Sequence, residues 1–160
     1  AYSNESGERL YNEDSAIRMA LCHAIGDPYG IATSGIENFH ARYLLGFSEN
    51  VFERIYQSVA FEKRHGDDVT STLDAQLSKY IYQQMGDYNG ACVVMNYQTG
   101  EVLASVSKPG FDLRPVKEFD TSNAQGSELV NRVPMGNYTP GSVFKTITSA
   151  AILAHTPSMM

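Results

Sequence analysis

Tyr138-Thr139-Pro140-Gly141-Ser142-Val143-Phe144-Lys145-Thr146-Ile147-Thr148 is the stretch on which the reading of this chain turns. Pro140 and Gly141 form a turn signal, after which Val143, Phe144, Ile147, Ala150 and Ala151 recur at helical spacing. Ser142 therefore falls in the first turn of an apolar helix, and Lys145, three residues on, shares its face. A serine hydroxyl becomes a nucleophile when a neighbouring base takes its proton, and a desolvated lysine can be that base. The N-terminus of the helix adds free N–H groups suited to a developing oxyanion. Ser142 and Lys145 are the candidate catalytic residues. The Ser-x-x-Lys spacing alone is a weak signal, because among 15 serines and 5 lysines it recurs at Ser105-Val106-Ser107-Lys108. That copy ends an expected strand, where residues three apart point to opposite faces. The turn and the apolar helix set Ser142 apart.

Outward from this stretch, 160 residues suit one domain, or a small domain with part of a larger one. A hydrophobic share of 42% is enough for a real core, and a net charge of −6 offers no basic stripe for nucleic acid. No apolar run approaches the roughly 20 residues of a membrane span, and no signal peptide is expected within these residues. Cys22 and Cys92 are too few for a disulfide framework and read as buried thiols. His23, His40, His65 and His155 show no metal spacing, so no metal and no cofactor are expected. Asp67-Asp68 reads as a solvated pair, and Glu37 as a partner in a structural ion pair.

Residues 1 to 13 read as a polar, frayed end. Asp14-Ser15 either caps a helix or leads a strand through residues 17–21 before the Gly26-Asp27-Pro28 break. Residues 30–35 are loop-like, and residues 37–45 form a helix ending at Gly46. The segment 47–61 fits helix or strand, and the charged run 62–68 is a solvated boundary. A short strand is expected at 69–73. Asp74 then caps a helix with Leu77, Tyr80, Ile81 and Met85 on its apolar face. Two strands, 91–95 and 101–106, flank a loop at 96–100 that contains Gly100 and ends in a hairpin pattern closed by Pro109-Gly110. Residues 111–137 are largely irregular. The order strand, helix, hairpin, long loop, helix gives an α+β fold class.

The motif order resembles the class B penicillin-binding proteins, the peptidoglycan D,D-transpeptidases. Gly35-Ile36-Glu37 with Leu45-Gly46 resembles their N-terminal non-catalytic segment, and Thr72-Leu73-Asp74-Ala75-Gln76-Leu77 resembles their entry into the transpeptidase domain. The run from Gly90 to Pro109 resembles their first hairpin. Asn131-Arg132 and Tyr138–Lys145 resemble the approach to the active serine. Ser71 and Ser78 depart from the family pattern at positions compatible with a surface. The resemblance implies a pedestal region at 1–66 and the N-terminal part of a transpeptidase domain at 67–160. It implies that Ser142 attacks a D-Ala–D-Ala carbonyl or a β-lactam ring to form an acyl-enzyme. Lys145 is implied as its essential neighbour, and the Ser142 N–H as half of an oxyanion hole.

The family site also needs Ser-x-Asn and Lys-Thr-Gly after the serine. Neither follows Ser142 here, and Ser48-Glu49-Asn50 lies upstream, in the wrong order. The chain is therefore expected to be a truncated piece that cannot turn over substrate alone, with its 138–160 segment mobile or packed on another molecule. The implied partners are a peptidoglycan stem peptide, β-lactams and components of a cell-wall synthesis complex, with no nucleic acid and with self-association through the C-terminal helix. The implied location is the extracytoplasmic face of a bacterial membrane, with an anchor outside this sequence. A β-lactamase or β-lactam sensor shares Ser-x-x-Lys and is the alternative enzyme, disfavoured by the N-terminal region. A second alternative makes residues 1–66 a non-catalytic docking piece.

Overall fold

The computed structural model describes residues 1–3, 9–27, 29–47, 66–114 and 127–155. Its centre is helix α1 (Ser15–Ile25), the segment whose sequence fits either a helix or a strand. Asp14 caps the helix, its carboxylate accepting from the Ala16 N–H at 2.9 Å, and Gly26 closes the other end through the Cys22 carbonyl. Ile17, Arg18, Ala20, Leu21, Cys22 and His23 are all buried, so α1 is covered on most sides. An apolar helix of this kind belongs inside the fold.

Before α1, β1 (Tyr2–Ser3) pairs antiparallel with β2 (Arg9–Leu10), where the sequence suggested only a frayed end. The helix expected at 37–45 is two separate turns, α2 (Ile36–Phe39) and α3 (Ala41–Leu44), parted at His40. Glu37 is buried and pairs with the Arg9 guanidinium, the ion pair its sequence context suggested. The ambiguous segment 48–61, His65 and Ser48-Glu49-Asn50 lie outside the described residues.

No strand forms over residues 69–73. The Thr72 hydroxyl donates to the Val102 carbonyl at 2.7 Å and the Asp74 N–H donates to the Leu103 carbonyl at 2.8 Å. One of these two bonds comes from a side chain, so the segment runs beside the sheet edge without a backbone ladder. Asp74 does cap α4 (Ala75–Gln84), accepting from the N–H groups of Gln76 and Leu77. The buried face of α4 is centred on Ser78 and Tyr82, four residues apart; Tyr80 points out, 60% exposed. Ser78, which looked surface-compatible, is completely buried. Its hydroxyl donates to the Asp74 carbonyl at 2.7 Å, so no polar group is stranded, and its small side chain lets α4 lie close to its neighbours.

The hairpin forms as expected from β3 (Gly90–Met95) and β4 (Val102–Lys108), with a register irregularity at Val94/Met95. Its inward face meets α1 and α4. Ala20, Tyr82 and Val106 make one buried cluster, flanked by Met19, Ile81 and Met85. Cys22, Ala32, Phe111 and Leu113 make a second, against which Tyr11, Ile31 and Leu129 pack. Gly110, just after the hairpin, must be glycine because a Cβ there would lie 2.5 Å from the Met19 carbonyl oxygen. Cys22 is fully buried as expected, whereas Cys92, opposite Val106 in the hairpin, is only half-buried. The result is an α+β arrangement in which α1 fills both clusters.

Polar pairs tie the layers together. The Arg18 guanidinium forks onto Asp112 at 2.7 and 2.6 Å and also donates to the carbonyls of Asn12 and Glu13. This bidentate bond holds the Asp112 carboxyl below its usual range. The Asp27 carboxylate, inside the break that the sequence marked only as a turn, is buried and accepts from the N–H groups of Tyr29, Ile31 and Ala32.

His23 gives this core a pH dependence. It is buried, its Nε2–H donates to the Glu128 carbonyl at 2.8 Å, and its ring meets Phe111 edge-on at 5.4 Å. Burial pushes its imidazole below the usual 6.5. As pH falls through that value the unfolded chain takes up a proton that the folded chain resists, so stability declines on the acid side. Asp112, being depressed, loses its contribution only at pH below the ordinary carboxylate value of 3.8. The urea midpoint is expected to drop between about pH 7.5 and 5.5, and to drop less in a His23→Gln variant. Equal slopes in the two proteins would contradict this account of the core.

Candidate active site

The turn before the candidate serine forms as the sequence indicates. Pro140 sits at φ −69° and ψ −20°, and Gly141 follows at φ 56°, a left-handed conformation that glycine adopts without a Cβ penalty. A single 3-10 turn, Gly141–Phe144, then runs into α6 (Lys145–His155). The Lys145 N–H donates to the Ser142 carbonyl, closing one turn between them. Side chains three apart eclipse in a 3-10 turn, so Ser142 and Lys145 share a face. The Thr148 hydroxyl donates to the Phe144 carbonyl at 3.3 Å one turn further on.

Every described residue from 137 to 155 is exposed, Ser142 and Lys145 included. Val143, Phe144 and Ile147 are 76%, 53% and 61% exposed, so the apolar stripe that suggested a buried helix faces outward. Among the described elements, α6 packs substantially only against the 3-10 turn that begins it. The structure thus brings the serine and the lysine together on one turn and places no other described side chain over them.

The second Ser-x-x-Lys match is taken up elsewhere. Ser105 is half-buried in β4, and the Lys108 ammonium donates to the Gly86 carbonyl while lying 4.5 Å from the centre of the Tyr82 ring. A different constellation escaped the sequence reading: Cys22 Sγ lies 3.3 Å from His23 Nδ1. A thiol beside an imidazole can be a nucleophile and its base. Here the thiol has no exposed surface and burial pushes it up to about 12, so it stays a protonated core group. No cluster of three or more metal-ligating side chains occurs among the described residues, and no described helix is long and apolar enough to cross a membrane.

Comparison with known proteins gives the class to which this helix–hairpin arrangement belongs. Residues 90–156, from β3 through α6, match the family described as the penicillin binding protein transpeptidase domain. Peptidoglycan D,D-transpeptidase MrdA of Escherichia coli K12 is 31% identical over 161 aligned residues, covering 92% of this chain and 24% of that protein. Peptidoglycan D,D-transpeptidase PbpA of Mycolicibacterium smegmatis is 30% identical, covering 78% of this chain and 28% of its own length. Penicillin-binding protein 3 of Bacillus subtilis is 29% identical, with 78% and 20% covered. The chain belongs to the class B penicillin-binding proteins. It spans about a quarter of the length of these curated relatives.

Proposed function

We propose that the protein is a serine D,D-transpeptidase of peptidoglycan synthesis, with Ser142 as nucleophile. The observation that carries this is the Tyr138–Lys145 stretch inside the matched segment, with serine and lysine on one turn at the start of α6. Ser142 Oγ attacks the carbonyl carbon of a D-Ala–D-Ala bond, its proton passes to the Lys145 amine, and D-alanine leaves carrying that proton. An amine of a second stem peptide then attacks the ester and releases Ser142. A β-lactam enters by the same first step, its ring amide opening to leave an acyl-serine. The Ser142 N–H supplies one donor to the tetrahedral oxyanion.

A lysine amine acts as a base only in a desolvated setting. We assign the covering wall to segments bearing Ser-x-Asn and Lys-Thr-Gly, neither of which follows Ser142 within the 160 residues. Residues 1–160 by themselves are therefore proposed to be inactive. Residues 1–66 are proposed as a pedestal for the catalytic part that starts near residue 67, joined to it through α1, which packs against α4 and β4. The whole protein is proposed to work at the outer face of a bacterial membrane, held there by an anchor.

Fluorescent penicillin tests the reading. The product of the complete reading frame is expected to be labelled and to hold the label for hours, and residues 1–160 alone to stay unlabelled. Rapid loss of the label by hydrolysis would move the protein to the β-lactamases, and no labelling at all would remove the serine mechanism.

A further inference from the structure

Between the hairpin and Ser142, the described polypeptide is fastened at residues 128–132, and the fastening is polar and buried. The Ser107 side chain of β4 is completely buried, and its single hydroxyl does two tasks. It donates to the Val130 carbonyl at 3.1 Å and accepts from the Arg132 N–H at 3.0 Å. Asn131, 7% exposed, also works in two directions. Its Oδ1 accepts from the Val133 N–H at 3.2 Å, capping the short helix α5 (Arg132–Met135), and its Nδ2 donates to the His23 carbonyl at 3.3 Å. His23 returns a bond to the Glu128 carbonyl, and Leu129 packs on the cluster around Cys22 and Phe111.

We propose that Ser107 and Asn131 are positioning residues for the acylation of Ser142, a role that rests on the transpeptidase reading above. Apolar contact alone could hold this loop to the core, but it would not set its direction. The hydroxyl and the amide fix carbonyls and N–H groups of consecutive residues, and so fix both the register and the heading with which the chain leaves α5 for the turn at Gly141. From residue 137 to 155 every described residue is exposed, so among the described residues this clamp is the last buried fastening of the chain before Ser142 and sets the heading it takes from there. A misplacement of about 1 Å at reacting atoms can lower a rate by about 100-fold. Neither residue touches the reacting atoms, and both act through the path of the backbone.

The test uses the product of the complete reading frame, with fluorescent penicillin as probe and Ser107→Ala, Asn131→Asp and Asp14→Ala as variants. Asn131→Asp keeps an oxygen for the α5 cap and removes the donor to His23. Asp14→Ala is the control: it weakens the start of α1 and the Lys79 ion pair, away from the clamp. The saturating acylation rate constant is expected to fall by about 10- to 100-fold in both clamp variants, with the half-saturating concentration nearly unchanged. The control should lower the melting temperature yet acylate as the wild type does. Wild-type rates in the clamp variants would overturn the proposal, as would an equal loss of rate in the control. If Ser107→Ala does not fold, Asn131→Asp decides alone. An unlabelled wild type would overturn both the transpeptidase reading and this role, whereas a labelled wild type with unaffected clamp variants would overturn this role only.

Discussion

Replacing Ser142 with alanine is expected to abolish covalent labelling by fluorescent penicillin in the protein made from its complete reading frame. Removing the nucleophile of an acyl-enzyme mechanism lowers turnover by about 10⁶-fold in the best-studied serine case, which on a gel is no band at all. Lys145→Ala should leave a weak, slow label, because losing a general base costs about 10²- to 10⁴-fold while the nucleophile remains. Ser105→Ala is the matched control. It removes the serine of the second Ser-x-x-Lys match, whose lysine is already engaged by Gly86 and Tyr82. That variant should label at the wild-type rate. Labelling that survives Ser142→Ala would place the nucleophile elsewhere.

The second large effect concerns stability. Leu113 is 1% exposed and is the largest of the fully buried side chains among the described residues, sitting with Cys22, Ala32 and Phe111. Truncating such a leucine removes its transfer free energy and leaves a cavity, together about 3 kcal/mol. That is a large part of the 5–15 or so kcal/mol that a domain has in hand. The urea midpoint of Leu113→Ala should fall accordingly. Tyr80→Ala, at a position 60% exposed, should move it by no more than about 0.5 kcal/mol. The comparison is pointed because the sequence placed Tyr80 on the apolar face of its helix and left Leu113 in a stretch read as irregular. Similar losses in the two variants would mean that the core is not built as described.

Several features were legible in the sequence because they depend on local chemistry. The hairpin is announced by two short apolar runs around a glycine loop, the cap of α4 by Asp74, and the serine turn by Pro140-Gly141. Each is decided within a few residues, where turn and cap preferences act. The features that escaped are tertiary. Whether residues 15–25 form a helix or a strand is settled by what surrounds them, because a segment apolar on most sides carries little periodicity. The inward face of α4 is set by contact with α1 and β4, which turns Tyr82 and Ser78 inward and Tyr80 outward. A strand at 69–73 is suggested by residue type, yet a side-chain bond from Thr72 takes the place of part of its ladder.

The candidate site divides in the same way. Ser142 and Lys145 are visible from spacing and setting, since one turn of backbone brings them together. The clamp at Ser107 and Asn131 is not visible, because nothing in the order of residues says that a strand serine will meet a loop carbonyl 23 positions away. Nor does the sequence separate the pair Cys22 and His23 from a catalytic one. Only burial does that, by holding the thiol protonated.

The most direct measurement is to find where penicillin attaches. Trypsin cutting after Arg132 and Lys145 releases residues 133–145, a peptide whose single serine is Ser142. After the complete protein reacts with benzylpenicillin, tandem mass spectrometry of this digest should find the penicilloyl mass on that peptide, with the fragment series placing it on Ser142. An adduct on any other residue, or an unmodified 133–145 peptide from protein that has bound the drug covalently, would contradict the account.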